Sequence, residues 1–204
     1  MKICIFGNKS STRKLMEALI NSDLPIGYLV ILDEAKAKRI NIAGADSNLA
    51  NFSLENNVPV FRVSDYSLNS SCDQRFFEAQ AFDLGLCAGW QRLIPDCILN
   101  SFVHGVFGWH GSGFEFPNGR GRSPLNWTIR LGLTQVFHNC FKYSSGADDG
   151  AVYETKILNI DKGDYISDLQ EKALRHIQSS AVRVVKDVEK NSLKLTKQPF
   201  HPFI

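Results

Sequence analysis

The chain has 204 residues, of which 44% are hydrophobic and 22% are charged, values typical of a globular protein that can bury a sizeable core. Its formal net charge of +2 gives no broad electrostatic attraction for nucleic acid, so the class of nucleic-acid-binding proteins is disfavoured. The five cysteines are scattered and odd in number, which argues against a disulfide framework and against a metal site. They are expected to be reduced core thiols.

The N-terminus has the pattern of a strand followed by a turn, rather than that of a signal peptide. No segment approaches the length that would cross a membrane. A cytoplasmic protein is therefore expected.

The N-terminal half alternates apolar runs with amphipathic segments. Strands are predicted over residues 2–6, 26–32 and 58–63. An amphipathic helix follows the first strand, and a polar loop over 33–46 and a helix over 47–56 follow the second. Strands and helices that alternate at this spacing predict a parallel sheet with right-handed crossovers.

A polar turn after the first strand is the first candidate for binding. Asn8, Lys9 and Ser10 stand where the strand gives way to a helix, and a helix start offers backbone N–H groups to an anion. These three residues are candidates for contacting a substrate phosphate. A plain strand-to-helix turn is the alternative, since no glycine-rich phosphate motif is present.

Residues 106–127 form the stretch around which the chain is organised. A strand predicted over 103–109 delivers His110 to a glycine-rich loop that carries Ser112, Arg120 and Arg122. Open α/β sheets bind ligands outside the carboxyl ends of their strands, so His110 is the first candidate for chemistry. The two arginines are candidates for clamping a phosphate, or they are surface residues.

An acidic turn completes this candidate site. After a strand over 135–143, whose His138 and Asn139 should face opposite ways, comes a turn over 144–150 that contains Asp148. A carboxylate beside an imidazole stabilises the protonated ring and fixes its tautomer, as a general base requires. His110 and Asp148 are therefore predicted to form a catalytic pair.

The C-terminal part adds an antiparallel-looking strand over 151–160 and a long amphipathic helix over 164–189. The fold class expected is α/β, with a Rossmann-like, open, mostly parallel sheet that has helices on both faces and is mixed at its C-terminal edge. A catalytic domain is expected over 1–190, followed by an extended tail over 191–204 that serves as an edge strand or an interface arm.

The order of an apolar strand, His-Gly-Ser, Pro-x-x-Arg-Gly-Arg-Ser-Pro-Leu-Asn-Trp and Gly-Ala-Asp-Asp-Gly-Ala-Val resembles the folate-dependent formyltransferase family. Members of that family move a formyl group from 10-formyltetrahydrofolate to an amine. The match covers roughly residues 80–160 well, and its arginine-rich string and acidic turn are most similar to the amino-sugar N-formyltransferases. The resemblance implies 10-formyltetrahydrofolate as the donor co-substrate, and no metal.

The resemblance also implies roles for individual residues. The family's catalytic histidine and aspartate match His110 and Asp148, but its asparagine, which helps to hold the formyl oxygen, is Gly108 here. Either another donor has taken over, with Ser112, Asn126 or the protonated His110 available, or the protein is slow or inactive. The loop after the histidine is also about two residues longer than the family pattern.

The folate would be held by two loops. The family's Leu-Ile-Pro loop wraps the pterin ring, and a strand-to-helix loop with a helix-start proline is the alternative interpretation. The residues expected to bind the folate are Trp90, Leu93, Ile94, Pro95, Ser145, Gly146 and Ala147.

The identity of the acceptor is inferred from family features that this sequence lacks. The chain ends where a methionyl-tRNA formyltransferase would continue into a second domain, so tRNA is disfavoured. Asn8 and its neighbours depart from the phosphate loop of the glycinamide ribonucleotide enzymes. A nucleotide-linked amino sugar, contacted by Asn126, the two arginines and the first turn, is the first choice, and glycinamide ribonucleotide is the runner-up.

A third interpretation is a catalytically impaired, folate-binding regulatory protein, because Gly108 replaces the family asparagine. The partners expected are a small-molecule amine, no nucleic acid and no membrane, with a homodimer as one assembly that the sequence leaves open.

Overall fold

The computed structural model describes residues 1–199, and the chain divides into two compact units, Met1–Phe107 and Gly108–Ile204. Among the described residues the strands follow the order β3-β2-β1-β4-β5-β6-β7 in one sheet. The expected α/β architecture, an open and mostly parallel Rossmann-like sheet that is mixed at its C-terminal edge, is confirmed. The proposed boundary at residue 190 stays a prediction.

The first unit alternates strands and helices. Its elements are β1 (Ile3–Phe6), α1 (Ser10–Ile20), β2 (Tyr28–Leu32), α2 (Glu34–Arg39), α3 (Leu49–Glu55), β3 (Val60–Val63), α4 (Ser71–Gln80), β4 (Leu84–Cys87) and α5 (Asp96–Leu99). The strand β1 pairs in parallel with β2 and with β4, and β2 pairs in parallel with β3. Both faces of β1 and β4 are buried, which explains their continuous apolar runs.

Aromatic rings fill the core of this unit. Phe6 stacks on Phe77 with ring centroids 5.4 Å apart, and Phe82 stacks on Phe102 at the same distance. Each such ring buries a large apolar area, so this cluster fixes how α4 packs on the strands.

Two helices of the first unit were not predicted from the sequence. The segment 33–46 was expected to be a loop, but it contains α2, whose N-cap Asp33 accepts a hydrogen bond from the Ala35 N–H at 3.0 Å. Basic side chains in its last turn complement the helix dipole. The helix α4 begins after Ser70, which caps it through the Cys72 N–H at 3.3 Å.

The second unit contains the antiparallel edge. Its elements are β5 (Val106–Ser112, which starts two residues before the boundary), α6 (Pro124–Arg130), β6 (Gln135–Lys142), β7 (Val152–Asn159) and α7 (Ile166–Glu189). The strands β6 and β7 are antiparallel, as predicted, with a bulge where Phe141 pairs with Val152. Apolar residues of β6, β7 and α7 form the core beneath the helices, namely Val136, Leu158, Leu169 and Ala173.

The tail after α7 is described as far as Pro199. Thr196 forms an isolated antiparallel bridge with Val152, beside the edge strand β7. The rest of the predicted tail, residues 200–204, lies outside the described residues. Within residues 1–199, no helix combines the length and apolarity needed to cross a membrane. The cytoplasmic location stays a prediction.

The cysteines were expected to be core thiols, and this holds for three of them. Cys4, Cys87 and Cys140 are buried, and burial raises the pKa of the Cys4 and Cys140 thiols. Cys72 and Cys97 are exposed, because both lie on the outer turns of short helices.

Candidate active site

The strand β5 presents two different faces. On one face, Trp109 Nε1 donates to Ser180 Oγ of α7 at 2.7 Å, and Gly111 lies against His138. Side chains alternate along a strand, so the ring of His110 projects from the opposite face. His110 lies inside β5 rather than after its end, which corrects the predicted strand boundary by three residues: the strand was expected to end at Trp109 and ends at Ser112.

His110 is held at both ring nitrogens. Its Nε2 lies 2.7 Å from the Gly119 carbonyl oxygen, and its Nδ1 lies 3.2 Å from Asp148 Oδ2. Phe116 stacks on the ring at 5.5 Å, and the side chain is only 7% exposed. Since both nitrogens face acceptors, the imidazolium is the form of the ring that donates to both.

Asp148 is held in an unusual backbone conformation. Its φ of 54° lies in the left-handed region, which costs a non-glycine residue free energy unless its surroundings enforce it. The same Oδ2 that faces His110 accepts the Gly121 N–H at 3.0 Å, and Gln198 Nε2 donates to the Asp148 carbonyl at 2.9 Å. The structure therefore brings together the predicted pair, with two contacts to the carboxylate and one to the backbone carbonyl of Asp148.

The two candidate arginines have different surroundings. Arg120 is half-buried and its Nη2 donates to Gln198 Oε1 at 2.6 Å, while its buried Nε has no acceptor among the described residues. Arg122 is exposed. Arg120 thus braces the tail against the acidic turn, and a contact of either arginine with phosphate stays a prediction.

The two side chains named as replacement donors have different surroundings. Ser112 shares the face of His110, but it is 3% exposed, packs against Gly119 and accepts the Phe114 N–H at 3.2 Å. Asn126 is exposed on α6, and that helix contacts β5 at Gly111 on the opposite face.

Tyr143 is a site residue that the sequence did not reveal. A β-carbon at Gly108 would overlap the hydroxyl oxygen and ring carbons of Tyr143, so the phenol fills the space where a side chain at 108 would begin. The available signal was a glycine inside a strand, which often marks the close approach of another group. It did not show which group approaches.

A cavity of about 350 Å³ opens on the side of β6 that carries Asn139. Phe116, which stacks on His110, is part of its wall. Its size falls within the range of small-molecule sites. The lining residues are Glu115, Phe116, Phe137, Asn139, Val152, Tyr153, Glu154, Thr155, Thr196, Lys197, Gln198 and Pro199.

The other face of β6 carries a buried polar chain that the sequence also did not reveal. His138 Nδ1 lies 2.6 Å from His176 Nδ1, and His176 Nε2 lies 2.8 Å from Glu154, which is paired with Arg183 at 2.6 Å. Burial lowers the pKa of both histidines. His138 therefore faces α7 and Asn139 the opposite side, as the predicted alternation requires.

In the first unit, the predicted phosphate turn is partly used by the protein itself. The Ser10 N–H donates to the Gly44 carbonyl at 3.3 Å, and the Lys9 N–H donates to Thr12 Oγ1 at 3.2 Å. Asn8 is 5% exposed, its Oδ1 accepts the Leu32 N–H at 2.7 Å, and it lines a cavity of about 480 Å³. Burial lowers the pKa of Lys9. Contact of the turn with a phosphate stays a prediction.

The predicted folate loop of the first unit combines a buried aromatic with an exposed aliphatic side chain. Trp90 and Ile94 are buried, Pro95 is half-buried, and Leu93 is 62% exposed. Trp90 packs edge-on against Tyr66 at 4.6 Å, and its Nε1–H lacks an acceptor within residues 1–199. This loop thus offers an apolar surface and an unused donor.

In the second unit, the remaining predicted folate residues belong to the turn before Asp148. Ser145 and Ala147 are exposed and Gly146 is half-buried.

Comparison with known proteins places these features in a family. The family model described as formyl transferase matches residues 1–185. Methionyl-tRNA formyltransferase of Mycoplasma pneumoniae is 24% identical over 188 residues, which cover 92% of this chain and 58% of that protein. The chain thus spans less than three fifths of the length of this curated relative.

Solved structures show the same fold. Phosphoribosylglycinamide formyltransferase from Bacillus halodurans superimposes with a TM-score of 0.75 at 17% identity, covering 94% of this chain and 97% of that one. The N-formyltransferase from Helicobacter canadensis, in complex with folinic acid and dTDP-3-aminofucose, gives a TM-score of 0.69 at 16% identity, covering 98% and 68%.

Proposed function

The chain belongs to the formyl transferase family, and on that premise we propose that it transfers the formyl group of 10-formyltetrahydrofolate to the amine of a small acceptor. The observation that carries the proposal is the buried imidazole of His110, held by Asp148 at Nδ1 and by the Gly119 carbonyl at Nε2. Acyl transfer to an amine needs such a group, because a proton must leave the amine as the new bond forms.

The reaction is a simple exchange of bonds. The nitrogen of the uncharged amine forms a bond to the formyl carbon, the bond from that carbon to the folate nitrogen breaks, and a proton passes from the amine to the departing folate. The products are a formamide and tetrahydrofolate. The bound donor supplies only the electrophilic carbon and the leaving group.

The protein's part is positioning and proton transfer. Because Nδ1 of His110 is committed to Asp148, Nε2 is the nitrogen that exchanges a proton with the reacting groups. The Gly119 carbonyl holds Nε2 in the free protein, so a substrate group must take its place. The carboxylate of Asp148 stabilises the imidazolium while the ring carries that proton.

The residues expected to hold the folate fit a flat heteroaromatic ring. Leu93 offers an exposed apolar surface, and the Trp90 Nε1–H is an unused donor among the described residues. Ile94 and Pro95 would complete this loop of the first unit. In the second unit, considered by itself, Ser145, Gly146 and Ala147 are the residues proposed for folate contact.

For the acceptor, we propose a nucleotide-linked amino sugar. A cavity of about 350 Å³ shares Phe116 with the His110 site and suits a small molecule. The structural neighbour from Helicobacter canadensis, which binds dTDP-3-aminofucose, supports this class. The candidates for binding the nucleotide are the exposed Arg122 and Asn126, together with Arg120, which contacts Gln198.

Glycinamide ribonucleotide is the second candidate, favoured by the fold shared with the Bacillus halodurans enzyme. Methionyl-tRNA is the acceptor in the name of the Mycoplasma pneumoniae relative and is tested beside them.

The test is release of tetrahydrofolate from 10-formyltetrahydrofolate in the presence of each acceptor. We expect turnover with one class of acceptor. The rate should be about 10³-fold lower in His110→Ala. The control is His104→Ala, which removes a histidine of the first unit that lies outside the site.

A folate-binding regulatory protein without turnover gives a different result. Such a protein would bind folinic acid in a calorimeter, would release no tetrahydrofolate with any acceptor, and would bind equally well in His110→Ala. That combination of results would overturn the proposed transfer reaction but would still support folate binding.

A further inference from the structure

We propose that Tyr143 is a catalytic residue whose phenol O–H donates a hydrogen bond to the formyl oxygen as that oxygen becomes negatively charged. The inference rests on the proposed function, because it assigns a donor to the same transfer reaction.

The position of the phenol carries the argument. Its hydroxyl lies over Gly108, in the space where a side chain at that position would begin. Residues 108 and 110 project from the same face of β5, and their α-carbons are separated by two residue repeats, roughly 7 Å. The phenol and the imidazole of His110 are therefore neighbours along one face of the strand.

The packing around Tyr143 keeps the hydroxyl in this place. The ring lies 5.2 Å from that of Phe141, which packs edge-on against Phe116 at 5.6 Å, and Phe116 in turn stacks on His110. One continuous row of aromatic rings thus links the phenol to the catalytic imidazole. A donor that is fixed before the reaction stabilises developing charge without a cost of reorganisation.

The surroundings of the other candidate donors favour Tyr143. Ser112 is 3% exposed and packs against Gly119, which leaves little room for a substrate group beside its hydroxyl. Asn126 lies on a helix that contacts the opposite face of β5. A phenol is a suitable donor for an oxyanion, since its O–H is more polarised than that of an alcohol.

Gly108 and Tyr143 also form an exclusive pair. Any side chain at 108 would overlap the phenol, so an asparagine there and a tyrosine at 143 are alternatives. The departure of Gly108 from the family pattern is then an exchange of one donor for another, and the glycine is needed to admit the ring.

The experiment compares Tyr143→Phe with the wild-type chain, using the acceptor that supports turnover. Loss of the hydroxyl alone should lower kcat by about 10²–10³. The KM for 10-formyltetrahydrofolate and the calorimetric affinity for folinic acid should change by less than about threefold, because the donor acts on charge that develops only in the transition state. The matched control, Tyr165→Phe, alters a tyrosine that is 76% exposed and should leave kcat unchanged.

A second variant tests whether an asparagine at position 108 can replace Tyr143 as the donor. Gly108→Asn/Tyr143→Ala should turn over at least about tenfold faster than Tyr143→Ala, because the amide supplies a donor from the vacated space. Equal rates in these two variants would overturn the proposal.

The proposal is also overturned if Tyr143→Phe keeps kcat within about threefold of wild type, or if folinic acid binding falls in parallel with kcat. Absence of turnover in the wild-type chain would instead overturn the transfer reaction itself, and the tyrosine's role with it. The two failures are therefore distinguishable.

Discussion

At the scale of single residues, the proposed chemistry rests on the imidazole ring of His110 and the groups that hold it. Asp148 fixes Nδ1 of His110 at 3.2 Å, and the Gly121 N–H fixes the carboxylate in turn. Phe116 stacks on the ring and covers this contact. In the proposed reaction this arrangement leaves Nε2 as the nitrogen of His110 that meets the substrate.

Asp148→Asn should lower kcat by roughly 10²-fold while the fold remains intact. The amide keeps the size of the side chain, and asparagine tolerates the positive φ of 54° at this position, but it no longer stabilises the imidazolium. Tetrahydrofolate release measures the rate, and urea unfolding measures the stability.

The matched control is Asp149→Asn, which alters the neighbouring exposed carboxylate, paired with Ser144. An Asp148→Asn variant as fast as this control would show that the carboxylate charge has no part in catalysis.

The sequence was sufficient for His110 and Asp148 because the signals around each are local: an apolar run before the histidine and a tight acidic turn around the aspartate. It was insufficient for the position of Tyr143 over Gly108, which depends on which strand residues lie side by side. Periodicity along one strand gives the face of each side chain but not its neighbour across the sheet.

At the scale of elements, β5 separates two kinds of polar chemistry. One face carries the buried ring of His110, and the other faces α7 and the buried pair of His138 and His176. With a proton on Nε2, His176 donates to Glu154 and accepts from His138 at Nδ1, so both rings are neutral in the folded chain. The charge of Glu154 is met by Arg183.

This pair makes stability depend on pH. Burial lowers the folded-state pKa of His138 and His176, so below the unfolded value of about 6.5 the unfolded chain binds more protons than the folded one. The contribution of the two neutral rings to the free energy of unfolding is complete above about pH 6.5. It is lost as pH falls, by up to about 1.4 kcal/mol per pH unit for each ring. Urea unfolding between pH 8 and pH 5.5 measures the slope.

The double variant His138→Leu/His176→Leu should flatten this slope, whereas His104→Asn, in the first unit, should leave it as in wild type. An equal slope in the double variant and wild type would mean that other groups cause the acid sensitivity.

Helices and strands could be predicted where the apolar residues recur with a regular period over many residues, or where they form a continuous run. The helix α7 and the antiparallel β7 follow from such patterns. The helix α2 was missed because it has no buried residue and begins at the cap Asp33, which acts through a single hydrogen bond. The helix α4 begins after the cap Ser70 and buries only Asp73 and Phe77, so its sequence carries little apolar period. The strand β5 continues three residues beyond its predicted end because neighbouring strands pair with Gly-Ser sequence that has little strand propensity of its own.

At the scale of the whole molecule, binding of a reduced folate should stabilise the chain. A ligand that binds only the folded state at about 100 times its Kd adds about 2.7 kcal/mol to the free energy of unfolding. Folinic acid should therefore raise the urea midpoint, and free glutamate, which lacks the pterin, should not. An unchanged midpoint at millimolar folinic acid would contradict the assignment of the loop at Trp90 and Leu93.

The acceptor class was the least predictable property of the whole chain. Family membership follows from residues 1–185, but the structural neighbours act on acceptors of different chemistry while sharing one fold. Arg122 and Asn126, the residues proposed to bind the acceptor, are exposed, and exposed loop residues vary more than the scaffold that carries them.

The most direct test of the account is a single turnover with the chain in excess over 10-formyltetrahydrofolate labelled in its formyl carbon. With the acceptor that supports steady-state release, the label should move to the amine as a formamide, one for each tetrahydrofolate formed. His110→Ala should slow that transfer by about 10³-fold. If the label stays on the folate in the wild-type chain while folinic acid still binds, the chain is a folate-binding protein and the catalytic role of His110 and Asp148 is contradicted.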